Sequence, residues 1–208
     1  MAAVSLALIR HGPTEWNASK RIQGSTDIPL SDDGRKTVRG WKLPAELKGF
    51  IWVSSPLARA RETARILQGV MGNMGKTHTI ETDPRLREMS WGDWEGEKLD
   101  ELRRRPGPKM AANEARGLDF RPPGGESPRE LQNRLKPWLT DVSNSNLPVF
   151  AVTHHGVIRA IYALASGWDM TGKRPMKFHT GAVHFFRAMA GGAVRVERMN
   201  VAMDDGKA

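Results

Sequence analysis

Three short apolar runs end in the same manner, and they constrain this 208-residue chain more than any other feature. Residues 4–9 (VSLALI) stop at Arg10-His11-Gly12, residues 50–53 (FIWV) at Ser54-Ser55-Pro56, and residues 149–152 (VFAV) at Thr153-His154-His155-Gly156. None alternates polar with apolar positions, so each reads as a strand covered on both faces, as in a parallel sheet. Helical patterns lie between them. Residues 57–71 place Leu57, Ala60, Ala64, Leu67 and Met71 on one face, and residues 126–142 do the same with Leu131, Leu135, Trp138, Leu139 and Val142. Residues 157–165 read as a further helix directly after His154. Strands alternating with helices predict a three-layer α/β/α sandwich around a mixed, mostly parallel sheet. Residues 182–188 and 194–200, joined through Gly191-Gly192, read as a closing hairpin or edge strands.

Residues 97–123 break this pattern, being polar, Arg-rich and interrupted by Pro106, Pro108, Pro122 and Pro123. They read as a partly helical, cap-like insertion over one sheet edge, too hydrophilic for the main core. The expected organisation is one domain over residues 1–203 with a frayed tail at 204–208.

Composition removes whole classes of chemistry. With no cysteine the chain has no disulfide, thiol nucleophile, thiolate zinc site or iron–sulfur cluster, and a reducing, cytoplasmic location is permitted. No stretch approaches the ~20 apolar residues of a spanning helix. The opening MAAVSLALIRHG is too short and too soon charged for a secretory signal. A net charge of +9 points to an acidic partner: nucleic acid, an anionic surface or a phosphorylated small molecule. No nucleic-acid motif or basic–aromatic interleaving is present, and no membrane partner is expected.

If the strands ending at His11 and His154 are parallel in one sheet, both imidazoles emerge at the carboxyl edge, where open α/β sheets bind ligands. A helix beginning near Gly156 would offer backbone N–H groups to an anion there. The strand ending at Ser54 delivers Arg59 to the same edge, and Arg10 sits beside His11. Two imidazoles and two guanidiniums suit a phosphoryl group, because arginine presents a fixed fork of donors to phosphate oxygens. Each also has a plain structural reading, and Arg61 and Arg65 read as the solvated face of their helix. A metal site from His154 and His155 with His179 or His184 is the weaker reading, since strand neighbours point apart and no carboxylate is interleaved.

The block Arg10-His11-Gly12-Pro13-Thr14-Glu15-Trp16-Asn17 resembles the RHGxTxWN signature of the histidine phosphatase superfamily, in its phosphoglycerate-mutase-like branch. The resemblance continues in order through GSTDIPLSDDG (24–34), SSPLARARETA (54–64), LREMSWGDWEG (86–96), PPGGES (122–127) and VTHHGVIRA (152–160). It implies that His11 becomes phosphohistidine, that Arg10, Arg59 and a protonated His154 hold the phosphoryl oxygens, and that Glu88 is the general acid. It also implies that Asn17, Gln23 and Gly24 lie near phosphate and substrate. No cofactor or metal is expected, because the cationic side chains take the charge-stabilising role. For Glu88 to donate a proton its pKa should be raised by burial, against Trp91 or Trp94.

Two positions depart from the pattern. His155 stands where the family usually has glycine; it could reach the substrate, but strand alternation favours its pointing away. Glu62 stands where glutamine is common, and a structural role is expected. His179 reads as packed or exposed rather than touching substrate.

Mutases of this branch are longer between the acid and the second histidine, so the expected activity is metal-independent hydrolysis of a small phosphomonoester. Cofactor-dependent phosphoglycerate mutase is the alternative, and a basic binding module with a vestigial site is a further one. Arg103, Arg104, Arg105, Lys109, Arg116 and Arg121 of the insertion either select a second anionic group or form a solvated basic face.

Overall fold

The computed structural model describes residues 3–71, 80–105 and 109–203; the tail at 204–208 lies outside them. Strands β1 (Val4–Arg10), β2 (Ile51–Ser54), β3 (Glu81–Thr82), β4 (Val149–Thr153), β5 (Ala182–Met189) and β6 (Ala193–Ala202) form one sheet in the order β3-β2-β4-β1-β5-β6. β1, β2 and β3 run parallel with β4 at the centre, while β5 is antiparallel to both β1 and β6. The three apolar runs are therefore adjacent, as expected. β3 was not evident in the sequence, being two residues long with both side chains exposed.

Alternation along the buried strands divides the core into two. Leu6 and Leu8 of β1, with Val149 and Ala151 of β4, face helices α6 and α7 described below; Ala7, Ile9, Phe150 and Val152 face the opposite layer. Burying a leucine fully contributes about 1.5–3 kcal/mol, so reversing either strand's facing is strongly disfavoured.

Helices α1 (Glu15–Ala18), α2 (Asp32–Arg39), α3 (Ala58–Val70), α4 (Leu99–Arg104), α5 (Lys109–Glu114), α6 (Pro128–Ser145) and α7 (His155–Ser166) complete the described elements with a few single-turn helices. α2 and α3 cover one face through Val38, Ala60, Ala64 and Leu67; α6 and α7 cover the other through Leu131, Leu135, Trp138, Leu139, Val157 and Ile161. α6 starts at a capping box, Ser127 Oγ accepting from Glu130 N while Glu130 Oε2 accepts from Ser127 N, with Pro128 at its first position. The hairpin forms as predicted, with Gly191 and Gly192 both at positive φ.

The insertion differs from expectation. Its surface is polar, but Leu102, Met110 and Phe120 are buried and belong to the same core cluster as α6 and α7. Trp91 and Trp94 pack on Phe120 at 5.3 and 6.1 Å between ring centroids. Leu102, Met110 and Phe120 join an otherwise charged segment to the core.

Candidate active site

Strand register assembles the site. Thr153 pairs with Arg10, and its carbonyl accepts from His11 N at 2.9 Å; on the other side of β4, Ser55 N donates to the Val152 carbonyl at 2.9 Å. The ends of β1, β2 and β4 are thus locked side by side, and His11 and His154 face one another with ring centroids 5.2 Å apart.

Both imidazoles are almost completely buried. Burial pushes His11 well below the ordinary histidine range, and Arg10 and Arg59 push it further. Its Nδ1 lies 2.7 Å from the Gly12 carbonyl. A carbonyl can only accept, so the single ring proton of the neutral form sits on Nδ1 and the lone pair on Nε2. His154 is lowered well below 6.5 by burial, then by Arg59, His11 and Arg10. These shifts favour the neutral form of both imidazoles, against the protonated His154 that the resemblance implies. His154 Nε2 is 2.7 Å from Ser55 Oγ, and its buried Nδ1 has no partner.

Arg59 is 0% exposed although it bears a charge. Its Nη1 and Nη2 donate to the carbonyls of Thr26 and Gly24 at 2.7 and 2.8 Å, and its Nε is unpartnered, as is that of Arg10. Burial lowers both guanidiniums, opposed by Glu88, but arginine stays protonated at any physiological pH. The carbonyls that hold Arg59 are themselves held by Glu95, a residue the sequence reading missed. Glu95 accepts from Ser25 N, Thr26 N and Trp91 N and from the Ser25 and Thr26 hydroxyls. Burial pushes its carboxyl up, but these donors outweigh that and hold it below its ordinary value. Gly24 has φ +51°, and a Cβ there would meet the Glu95 carboxylate at 2.1 Å.

Glu88 is half-buried. Its Oε1 accepts from Met89 N at 2.9 Å and its Oε2 from Gly156 N at 3.0 Å. Trp91 and Trp94, expected to bury it, pack instead on each other and on Phe120. One of the N–H groups expected to await an anion at the start of α7, that of Gly156, is therefore already taken by the Glu88 carboxylate. A Cβ on Gly156 would lie 2.3 Å from Glu88 Oε1, so this contact requires glycine. Arg85 is engaged with Asp83 and Asp141 rather than with Glu88.

The remaining candidates separate. Asn17 forms the α1 capping box with Thr14, its Oδ1 accepting from Thr14 N at 3.0 Å, which leaves its Nδ2 for a ligand. Gln23 is buried with Oε1 unpartnered. His155 does not point away: it is the first residue of α7 rather than a strand residue, so the alternation argument did not apply. Burial and nearby Arg10, Arg159 and Arg174 lower it to about 3, and its ring meets Phe178 edge-on at 5.8 Å. With Glu88, Trp91 and Phe120 it lines a cavity of about 890 Å³.

Glu62 pairs with Arg35 at 2.6 Å, a structural role as expected. Arg65 is exposed, whereas Arg61 is half-buried with its Nε buried and unpartnered. His179 is exposed, and its backbone N–H donates to Asn200 Oδ1. His184 Nδ1 accepts from Asn200 N, away from His154, and among the described residues no group of three or more His, Asp or Glu could hold a metal ion. Nor is any described helix long and apolar enough to cross a membrane. In the insertion Arg103 and Arg105 are paired with Glu114 and Glu97 of the same segment and Arg121 with Glu130 of α6, so half of the expected basic cluster already has acidic partners.

Comparison with known proteins agrees with this geometry. The sequence profile of the histidine phosphatase superfamily (branch 1) matches residues 6–202, and the chain belongs to that superfamily. A glucosyl-3-phosphoglycerate phosphatase of Mycolicibacterium vanbaalenii is 35% identical over 174 residues, 78% of this chain and 74% of the relative. A 2,3-bisphosphoglycerate-dependent phosphoglycerate mutase of Azorhizobium caulinodans is 31% identical over 201 residues, 93% of this chain and 96% of the relative. A phosphoserine phosphatase variant of Entamoeba histolytica, solved with phosphoserine, superposes with a TM-score of 0.76 at 26% identity, covering 95% of this chain and 96% of that one. Close relatives and structural neighbours are phosphatases of this superfamily, and the chain is an enzyme of that type. The alignment spans 96% of the mutase and 93% of this chain, so overall length does not separate this chain from that relative.

Proposed function

We propose that this chain hydrolyses small phosphomonoesters through a phosphohistidine at His11. The observation that carries this reading is His11 itself: buried, neutral, with its proton committed to the Gly12 carbonyl and Nε2 bearing the lone pair between two incompletely satisfied guanidiniums. Nε2 attacks phosphorus in line with the ester oxygen while Arg10 and Arg59 take charge from the equatorial oxygens. Ser55 O–H donating to His154 Nε2 leaves a proton on Nδ1, the unpartnered ring atom, which donates to a further phosphoryl oxygen. Asn17 Nδ2 supplies another donor. As the P–O bond breaks, protonated Glu88 gives its proton to the departing alkoxide; as carboxylate it then removes one from the water that attacks phosphorus and breaks the N–P bond.

The test is a phosphomonoester panel assayed in EDTA for wild type and His11→Ala. Phosphate release by wild type alone is expected, and equal release by both proteins overturns the reading. The mutase relative of equal length gives the second reading its one support. Isomerisation of 3-phosphoglycerate on addition of 2,3-bisphosphoglycerate, faster than phosphate release, would establish it instead.

A further inference from the structure

Beside Glu88 the cavity carries two arginines that no ion pair among the described residues neutralises, Glu88 alone opposing the lowering of Arg159 by burial and Arg174. Arg159 lies one helical turn beyond His155 on α7, so the two project from the same face, about 6 Å apart along the axis. Its guanidinium sits 5.5 Å from the centroid of Trp168, and its Nε is buried without a hydrogen-bond partner. Arg174, exposed at the mouth, lines the same cavity. Neither arginine forms an ion pair among the described residues. Of the two acids lining the cavity, Glu114 is taken by Arg103 at 2.6 Å and Glu88 is held by the backbone of Met89 and Gly156. Burial lowers Arg159, and Arg174 lowers it further, so the two cations are near enough to oppose each other's charge.

A half-buried cation without a partner is costly unless an anion completes it. The cation–π contact with Trp168 holds one side of the guanidinium against the cavity wall, and a guanidinium presents a fork of donors suited to a planar, bidentate acceptor. From this geometry we infer that Arg159 and Arg174 form a subsite for a second anionic group of the substrate, a carboxylate a few bonds from the phosphoester. The inference rests on the phosphatase reading for what occupies the other end of the ligand. It also moves the second-anion role away from the insertion, whose Arg103, Arg105 and Arg121 are engaged by Glu114, Glu97 and Glu130, to α7 and the loop after it.

The experiment compares 3-phosphoglycerate with glycerol 3-phosphate, which have similar carbon skeletons and differ in the carboxylate. For Arg159→Gln, kcat/KM for 3-phosphoglycerate is expected to fall roughly 10- to 100-fold more than that for glycerol 3-phosphate, the scale of one charge-assisted contact. Arg159→Lys, which keeps the charge but loses the planar fork, should recover part of that difference. Arg174→Gln, at an exposed position where folding is not at stake, should shift the same ratio in the same direction. Equal losses on both esters, or none, overturn the subsite. Calorimetric binding of both compounds to His11→Ala, with and without Arg159→Gln, decides the question independently of turnover. If wild type releases no phosphate yet 3-phosphoglycerate binding still depends on Arg159, hydrolysis is wrong and the subsite stands; if binding does not depend on Arg159, the subsite falls.

Discussion

On the proposed mechanism Glu88 carries a proton in one half-reaction and accepts one in the other, and two backbone N–H groups hold its carboxylate. That dual duty makes a specific kinetic signature. A leaving group such as p-nitrophenolate needs no proton, so Glu88→Gln should slow transfer of that phosphoryl group to His11 only mildly. It should slow hydrolysis of the phosphoenzyme by about 10²- to 10⁴-fold, the usual worth of a general base. Acid-labile, alkali-stable phosphate on the protein is therefore expected to accumulate in Glu88→Gln during turnover of p-nitrophenyl phosphate. Quench experiments that find no more phosphoenzyme than in wild type would remove Glu88 from the second step.

At the scale of elements, the unit that matters is the loop of residues 24–27, tied below to α3 by Asp27, whose Oδ1 accepts from Ala58 N at 2.6 Å, and above to Glu95. Arg59 is aimed by carbonyls of that loop, so Glu95 is a positioning residue for it. In Glu95→Gln either amide orientation turns an NH₂ toward backbone donors, Ser25 and Trp91 on one side or Thr26 on the other. A loss of about 1–3 kcal/mol is expected from such unsatisfied groups, read as a lower Tm. A fall in kcat/KM is expected for every phosphomonoester alike, since the loop holds Arg59 rather than the substrate's second end. Substrate-dependent losses would count against the positioning role.

The same comparison shows what the sequence could disclose. Strand ends carrying Arg10, His11 and His154 were legible because buried parallel strands are unbroken apolar runs whose limits mark the sheet edge. Arg59 followed from one of those limits, and α3, α6 and α7 from their apolar spacing. Glu95 and Ser55 were not legible, because their importance arises from which backbone groups come to face them, and no periodicity encodes that. His155 was misjudged by applying strand alternation one residue past the end of the strand. α2 escaped because only Gly34 and Val38 of its eight residues are buried, too sparse a pattern to register.

For the molecule as a whole, the burden of buried imidazole sets its response to acid. His11 and His154 lie well below 6.5, His155 at about 3 and His184 at about 4. Their folded-state pKa values are depressed, so below 6.5 the unfolded chain binds protons that the folded one refuses. The stability involved is fully present above 6.5 and is lost as pH falls, by about 1.4 kcal/mol per pH unit for each such histidine. A Tm flat from pH 8 to 7 and dropping steeply from 6.5 toward 4.5 is expected, with a shallower drop in His155→Phe. A Tm unchanged between pH 7 and 5 would contradict the buried neutral state. Activity should tolerate mild acid better than an ordinary histidine allows, because His11 Nε2 keeps its lone pair below 6.5.

β4 sits between β1 and β2, yet it comes from residues 149–153, nearly a hundred positions after β2 ends. During synthesis, His11, Arg59 and Glu88 leave the ribosome long before the strand that aligns them. A chain halted before β4 can join the β1 end to α3 through Gly12 N and Thr63 Oγ1, and Arg59 to the 24–27 loop, but it lacks His154 and the strand with which both β1 and β2 pair. Long-range insertion of this kind is slow to form. On the proposed mechanism the pocket is complete only once β4 has paired with both β1 and β2 and delivered His154.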